Sequence, residues 1–272
     1  MKLAFVFPGQ GSQSVGMMSG YAQFPVVKET FDEASAALGD DLWSMAETGP
    51  SETLALTTNT QPLMLVAGIA VFRAWQAADG PSPDVFAGHS LGEYSALVAA
   101  ESLTLADAVS FVRFRAQCMQ DAVPPGTGAM AAILGLDEAA VRAACVEAST
   151  ADEIAEAANL NTPEQVVVAG HKAAVERAVE AAKSRGAKRA MLLQMSAPSH
   201  CALMRPASER LQARLNALAI QTPKVPVIHN ADVSSSSNAH EVREALSRQL
   251  YRPVRWMETI ASFVESDVTH IV

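Results

Sequence analysis

Cysteine, aromatic residues and positive charge are all scarce in this 272-residue sequence. The three cysteines, Cys118, Cys145 and Cys201, form neither an even-numbered set nor a C-x-x-C pair, which excludes a disulfide framework and favours a reducing, cytoplasmic location. Aromatic residues make up 6% of the chain. The chain has 20 Lys and Arg residues and 29 Asp and Glu residues, so its net charge is −9. We therefore expect no nucleic-acid partner.

Long apolar runs are missing as well. The longest run, Leu63–Phe72, is well below the roughly 18 residues that a membrane span requires. Only five apolar residues lie between Lys2 and Pro8, too few for the core of a signal peptide. We therefore expect a soluble protein with no membrane partner. Its 49% hydrophobic content can form a large core, in one large domain or in one domain with a smaller insertion.

Residues 88–92 read Gly-His-Ser-Leu-Gly, the pattern of a nucleophile elbow. The apolar run that ends at Gly88 predicts a strand, and the small residues after Gly92 predict a helix. A serine in such a sharp turn crowds its neighbours, which favours glycine on both sides. The helix N-terminus then offers free N–H groups to a developing oxyanion. Ser90 is the candidate nucleophile; the alternative is a plain turn with a surface serine.

A second glycine-containing loop, Pro8–Gln13, follows the predicted buried strand Lys2–Phe7. It lacks the G-K-[ST] ending of a phosphate-binding loop. Its functional interpretation is that the backbone N–H of Gln10 is an oxyanion donor beside that of Leu91. The alternative is an ordinary strand-to-helix connection.

Arg115 interrupts an apolar helix face. In the predicted helix Leu105–Gln120, the residues Ala108, Val112, Arg115 and Met119 share one side at ~100° per residue. A buried guanidinium is costly unless it is paired. Its partner is therefore a carboxylate of the protein or of a substrate, which Arg can grip through two parallel hydrogen bonds.

The pattern changes after residue 125. Residues 126–194 predict the element order β-α-β-β-α-β, typical of a ferredoxin-like fold, as an inserted subdomain. Residues 1–125 and 195–272 together predict a larger α/β domain with buried, parallel strands.

Serine needs a base, and the chain has six histidines. His89 adjoins Ser90 and should point to the opposite face of the strand. His200 is the best candidate, because it lies in a loop where the chain returns from the insertion. No Asp or Glu stands out as a third member, so a backbone carbonyl would have to orient this histidine.

Five segments together closely resemble the malonyl-CoA:acyl carrier protein transacylase family. They are Gly9–Gln13, Gly88–Tyr94, Gly126–Met130, Ser199–Cys201 and Gln249–Val254, and they follow the order of the family. The resemblance implies an α/β-hydrolase-like large domain with a ferredoxin-like insertion. It implies malonyl-CoA and a phosphopantetheinylated acyl carrier protein as partners, no cofactor, no metal and a monomer. The family continues past its last strand with a Gly-Pro segment and a further helix, whereas this sequence ends at Val272.

The resemblance also implies the role of each site residue. Ser90 would be acylated, His200 would be its base, and the backbone carbonyl of Gln249 would orient His200. The amides of Gln10 and Leu91 would form the oxyanion hole, and Arg115 would bind the malonyl carboxylate. Two further substrate-binding candidates, Asn159 and Asn161, resemble family positions near the pantetheine channel. A serine esterase or thioesterase, and a catalytically idle carrier-binding scaffold, are the rival interpretations.

Overall fold

The computed structural model describes residues 1–193 and 197–272. Within these ranges the strands are β1 (Leu3–Phe7), β2 (Val85–Gly88), β3 (Gly128–Leu134), β4 (Ala155–Thr162), β5 (Gln165–His171), β6 (Arg189–Leu192), β7 (Val227–Ile228) and β8 (His270–Ile271). The helices are α1 (Pro25–Leu38), α2 (Leu42–Thr48), α3 (Ser51–Ala55), α4 (Thr57–Ala77), α5 (Gly92–Ala99), α6 (Leu105–Asp121), α7 (Glu138–Ala148), α8 (Lys172–Ser184), α9 (Arg205–Ala217), α10 (Ala239–Gln249) and α11 (Trp256–Glu265). None of the described helices is both long and apolar enough to cross a bilayer.

The first sheet is entirely parallel, with the strand order β7-β2-β1-β8. Its central strands are nearly continuous apolar runs because helices cover both faces of the sheet. Phe7 pairs with Gly88 at the carboxyl ends of β1 and β2. The loops that follow these two strands therefore leave the sheet side by side. This register brings the Pro8–Gln13 loop next to the elbow.

The second sheet is antiparallel, with the order β4-β5-β3-β6. Helices α7 and α8 contribute to a separate apolar cluster on one of its faces. The elements of this region follow one another as β3-α7-β4-β5-α8-β6, and the mixed α/β class with a parallel sheet is confirmed. The predicted boundary between residues 194 and 195 lies outside the described residues, so the division into 126–194 and the remainder stays a prediction.

Several elements differ from the sequence-based expectation. The apolar pattern of residues 223–228 predicts a strand over this whole segment. The structure contains only β7 there, because Pro223 and Pro226 have no N–H to donate to a neighbouring strand. The pattern also predicts a strand from residue 267 to residue 272, and the structure has the two-residue β8 there. Helices α2 and α3 are not predicted by the sequence pattern. The pattern predicts a turn at residues 161–163, but β4 extends to Thr162. The extension of β4 places one candidate site residue, Asn161, on a strand instead of in a turn, and the other differences move no candidate.

Candidate active site

The serine elbow has the geometry that its sequence predicts. Ser90 has φ 52°, in the left-handed region that non-glycine residues rarely adopt. A Cβ atom added to Gly88 would lie 1.9 Å from the carbonyl carbon of Gly92, so only glycine fits there. Asn230 holds the bend. The Ser90 N–H donates to Asn230 Oδ1 (2.6 Å), and Asn230 Nδ2 donates to the Gly88 carbonyl (2.7 Å).

His200 reaches Ser90 across 110 positions of sequence, and its Nε2 lies 2.7 Å from Ser90 Oγ. The other ring nitrogen, Nδ1, is 2.8 Å from the backbone carbonyl of Gln249. A carbonyl can only accept, so Nδ1 carries the proton and Nε2 presents its lone pair to the serine hydroxyl. The carbonyl thus fixes the tautomer that an acidic third residue fixes in other serine enzymes.

Burial keeps His200 neutral. Loss of solvent, followed by the positive charge of Arg115, lowers the pKa of His200 from 6.5 to about 3, although the hydrogen bond to Gln249 opposes the shift. The imidazole is therefore unprotonated at neutral pH, as a general base must be.

Arg115 is 1% exposed, and its guanidinium lies beside the nucleophile. Nη1 donates to Gln61 Oε1 (2.7 Å), and Nη2 donates to Gln249 Oε1 (3.0 Å) and lies 3.4 Å from Ser90 Oγ. No carboxylate forms an ion pair with Arg115 among the described residues, and its Nε has no partner there. Of the two alternatives that the sequence left open, the ion pair with a protein carboxylate is thus wrong for this structure. Neutral amides hold the charge in place.

The Gln10 and Leu91 amides are free to donate, since neither has a hydrogen-bond acceptor in the described part of the chain. The two loops touch closely: a Cβ atom on Gly9 would lie 2.6 Å from the His89 carbonyl oxygen. This approach is consistent with two amides that face one oxyanion.

The two asparagine candidates lie on β4, next to the elbow. Asn161 Oδ1 is 2.9 Å from His89 Nε2, so His89 is engaged away from Ser90. Asn159 is 6% exposed and forms a bridge with Val254. Contact of either residue with a substrate stays a prediction.

The comparisons with known proteins agree with this geometry. The model of the acyl transferase domain family matches residues 4–272 of the chain. The chain belongs to the acyl transferase family. It is 52% identical over 271 residues to the malonyl CoA-acyl carrier protein transacylase of Escherichia coli K12, an alignment that covers 99% of this chain and 87% of that protein.

Solved structures of acyl transferases have the same fold. The malonyl CoA-acyl carrier protein transacylase of Coxiella burnetii superimposes with a TM-score of 0.98 at 49% identity, covering 100% of this chain and 86% of that one. A malonyl-transacylase solved in complex with a type II polyketide acyl-carrier protein gives a TM-score of 0.97 at 48% identity, covering 100% and 88%. These neighbours agree with the fold class inferred from the sequence.

Three buried side chains of this acyl transferase were missed by the sequence reasoning. Gln61 accepts a hydrogen bond from Arg115, Asn230 holds the elbow, and Glu93 accepts a hydrogen bond from the backbone N–H of Asn230. Glu93 adjoins the serine motif, and that position was the one available signal; Gln61 and Asn230 offered none. Among the described residues, no cluster of three His, Cys, Asp or Glu side chains is arranged to hold a metal ion.

The pKa of His200 predicts the acid limb of the acyl transferase pH profile. A histidine that accepts the serine proton must be deprotonated, and burial lowers the pKa of His200 to about 3. The rate of serine acylation should therefore stay nearly flat as pH falls from about 8 to about 5, instead of falling around pH 6.5. Stopped-flow measurement of kcat/KM for CoA release tests this expectation. An acid limb centred near 6.5 would contradict the buried, neutral state of His200.

Proposed function

We propose that this chain transfers a malonyl group from CoA to the phosphopantetheine thiol of an acyl carrier protein, through a malonyl-Ser90 intermediate. The observation that carries the proposal is the guanidinium of Arg115, held by amides 3.4 Å from Ser90 Oγ without a protein carboxylate. A buried cation beside the nucleophile requires an anion, and malonyl brings a free carboxylate to that place.

Acylation begins when the Ser90 oxygen attacks the thioester carbon and His200 Nε2 takes the serine proton. The amides of Gln10 and Leu91 bind the oxyanion while it exists. The carbon–sulfur bond then breaks, and His200 returns the proton to the departing CoA thiolate.

Transfer to the carrier reverses these steps. The pantetheine thiol gives its proton to His200, and its sulfur attacks the acyl carbon. The Ser90 oxygen leaves and recovers the proton, which gives ping-pong kinetics. Arg115 fixes the carboxylate end of the acyl group throughout, so the reacting carbon stays aligned with the incoming thiol.

The partners and location follow from the same reaction. Malonyl-CoA and the acyl carrier protein are the named partners of the relatives, and we propose them for this chain. Asn159 and Asn161 would contact the pantetheine arm. Both lie on β4, and the contact of Asn161 with His89, next to Ser90, supports this proposal. We propose a cytoplasmic location, because the three free cysteines suit a reducing compartment. We also propose that the enzyme is a monomer.

Incubation with malonyl-CoA tests this function. Intact-mass measurement should find one added malonyl group, peptide mapping should place it on Ser90, and addition of phosphopantetheinylated carrier should remove it. Steady hydrolysis without a carrier would favour an esterase or thioesterase, and no adduct at all would favour an idle carrier-binding scaffold.

A further inference from the structure

The carboxylate of Glu93 is completely buried in the first turn of α5, three residues after the nucleophile. Its Oε2 accepts hydrogen bonds from the Asn230 N–H (3.0 Å) and from Gln249 Nε2 (2.9 Å). Its Oε1 is 2.7 Å from His229 Nδ1. A buried carboxylate needs such partners, and each of the three belongs to a distant segment of the chain.

Glu93 determines which end of the Gln249 amide faces Arg115. Gln249 Nε2 donates to two acceptors, Glu93 Oε2 and the Ser90 carbonyl (2.8 Å). The amide therefore has to turn its oxygen toward Arg115, where Oε1 accepts from Nη2 at 3.0 Å. With the amide reversed, an NH₂ group would face a guanidinium, and two donors would meet without an acceptor.

The same carboxylate balances the charge of Arg115 without binding it. One amide group, that of Gln249, separates the two charges. Burial lowers the pKa of Arg115, and the negative charge of Glu93 is among the effects that oppose this shift. A direct ion pair would occupy the fork of Arg115, whereas the intervening amide leaves part of the guanidinium available to a substrate carboxylate.

We propose that Glu93 is a positioning residue that sets malonyl selectivity by orienting the Gln249 amide and, through it, Arg115. This role rests on the proposed function of the Ser90 site. Glu93 itself touches neither Ser90 Oγ nor His200 in the structure. Glu93 also binds Asn230, which holds the elbow, and this contact makes a smaller contribution to the acylation rate that is the same for every acyl group.

The test compares Glu93→Leu with Glu93→Gln, measuring the rate of serine acylation from malonyl-CoA and from acetyl-CoA. Leucine removes every acceptor, so malonyl acylation should fall on the order of 10²-fold and acetyl acylation about 10-fold. Glutamine should restore most of the malonyl rate. Its oxygen can accept from Asn230 and Gln249, and its NH₂ can donate to His229 if that ring donates from Nε2 to Ser236 Oγ.

Two controls separate positioning from a loss of folding. Ser102→Ala removes another buried hydrogen bond, from Ser102 Oγ to the Gln221 carbonyl, and should leave both acylation rates unchanged. If the leucine variant does not fold, Glu93→Asp serves instead. That side chain keeps its charge but is too short to reach Gln249 and Asn230 together, so malonyl acylation should still fall about 10-fold.

A double-mutant cycle with Gln249→Met tests whether Glu93 changes malonyl selectivity through the Gln249 amide. If Glu93 acts through the Gln249 amide, the extra loss with malonyl should disappear in the methionine background. Equal malonyl and acetyl losses, or unchanged selectivity in folded Glu93→Leu or Glu93→Asp, would overturn the role of Glu93 while malonyl-Ser90 still forms on the wild type. A wild type that takes no malonyl group would overturn the proposed function and this role together.

Discussion

Replacing Ser90 with alanine is expected to abolish the malonyl adduct and to lower malonyl transfer by at least about 10⁴-fold. Ser90 Oγ is the atom 2.7 Å from His200 Nε2, and alanine leaves the base with nothing to deprotonate. The oxyanion amides and Arg115 remain in the variant, so malonyl-CoA should still bind. Intact-mass measurement after incubation, together with the burst of CoA release, gives the result.

Ser95→Ala is the matched control for Ser90. Ser95 is buried on α5, the helix that follows Ser90, and its Oγ has no hydrogen-bond partner among the described residues. Its removal should leave the adduct and the burst intact. An adduct that persists on Ser90→Ala would mean that another side chain carries the acyl group.

Arg115→Ala is expected to reverse the acyl preference. Two charge-assisted hydrogen bonds to a carboxylate contribute about 3–5 kcal/mol, so their loss should slow malonyl acylation by about 10²–10⁴-fold. Acetyl has no carboxylate and loses nothing from the change. Its acylation should rise, because the substitution removes a buried charge that acetyl leaves unpaired. The ratio of the two acylation rates is the measurement.

Arg113→Ala is the control for this substitution. Arg113 lies two residues away on α6, is partly exposed and pairs with Asp40, so its loss should leave the ratio unchanged. Arg115→Lys should give an intermediate ratio, since lysine keeps the charge but lacks the planar fork. Equal loss of malonyl and acetyl acylation in Arg115→Ala would contradict a carboxylate-binding role.

The local parts of the site could be predicted from the sequence. The elbow depends on residues within one turn, since only glycine tolerates the 1.9 Å approach at Gly88. Arg115 was found because helical periodicity alone places it on an apolar face, where it is indeed buried. His200 was chosen by elimination, and the resemblance to a known family then gave it its role.

The partners of these residues were decided by tertiary structure. Glu93 meets Asn230 and Gln249 across 137 and 156 positions, and no local pattern marks such a pairing. The sequence indicated that Arg115 needs an anion but left open whether the protein supplies it. That choice depended on which side chains the folded elements bring within hydrogen-bond distance.

The sequence by itself determined the elbow, the buried arginine, the element order from β3 to β6 and the family to which the chain belongs. Each of these features is encoded in neighbouring residues or in a periodic pattern, so it can be recognised without knowledge of the packing. Only the tertiary structure decided that the Gln249 amide stands between Glu93 and Arg115. The reason is that a hydrogen bond depends on distance and direction between atoms, which segments far apart in the chain acquire only when they pack together.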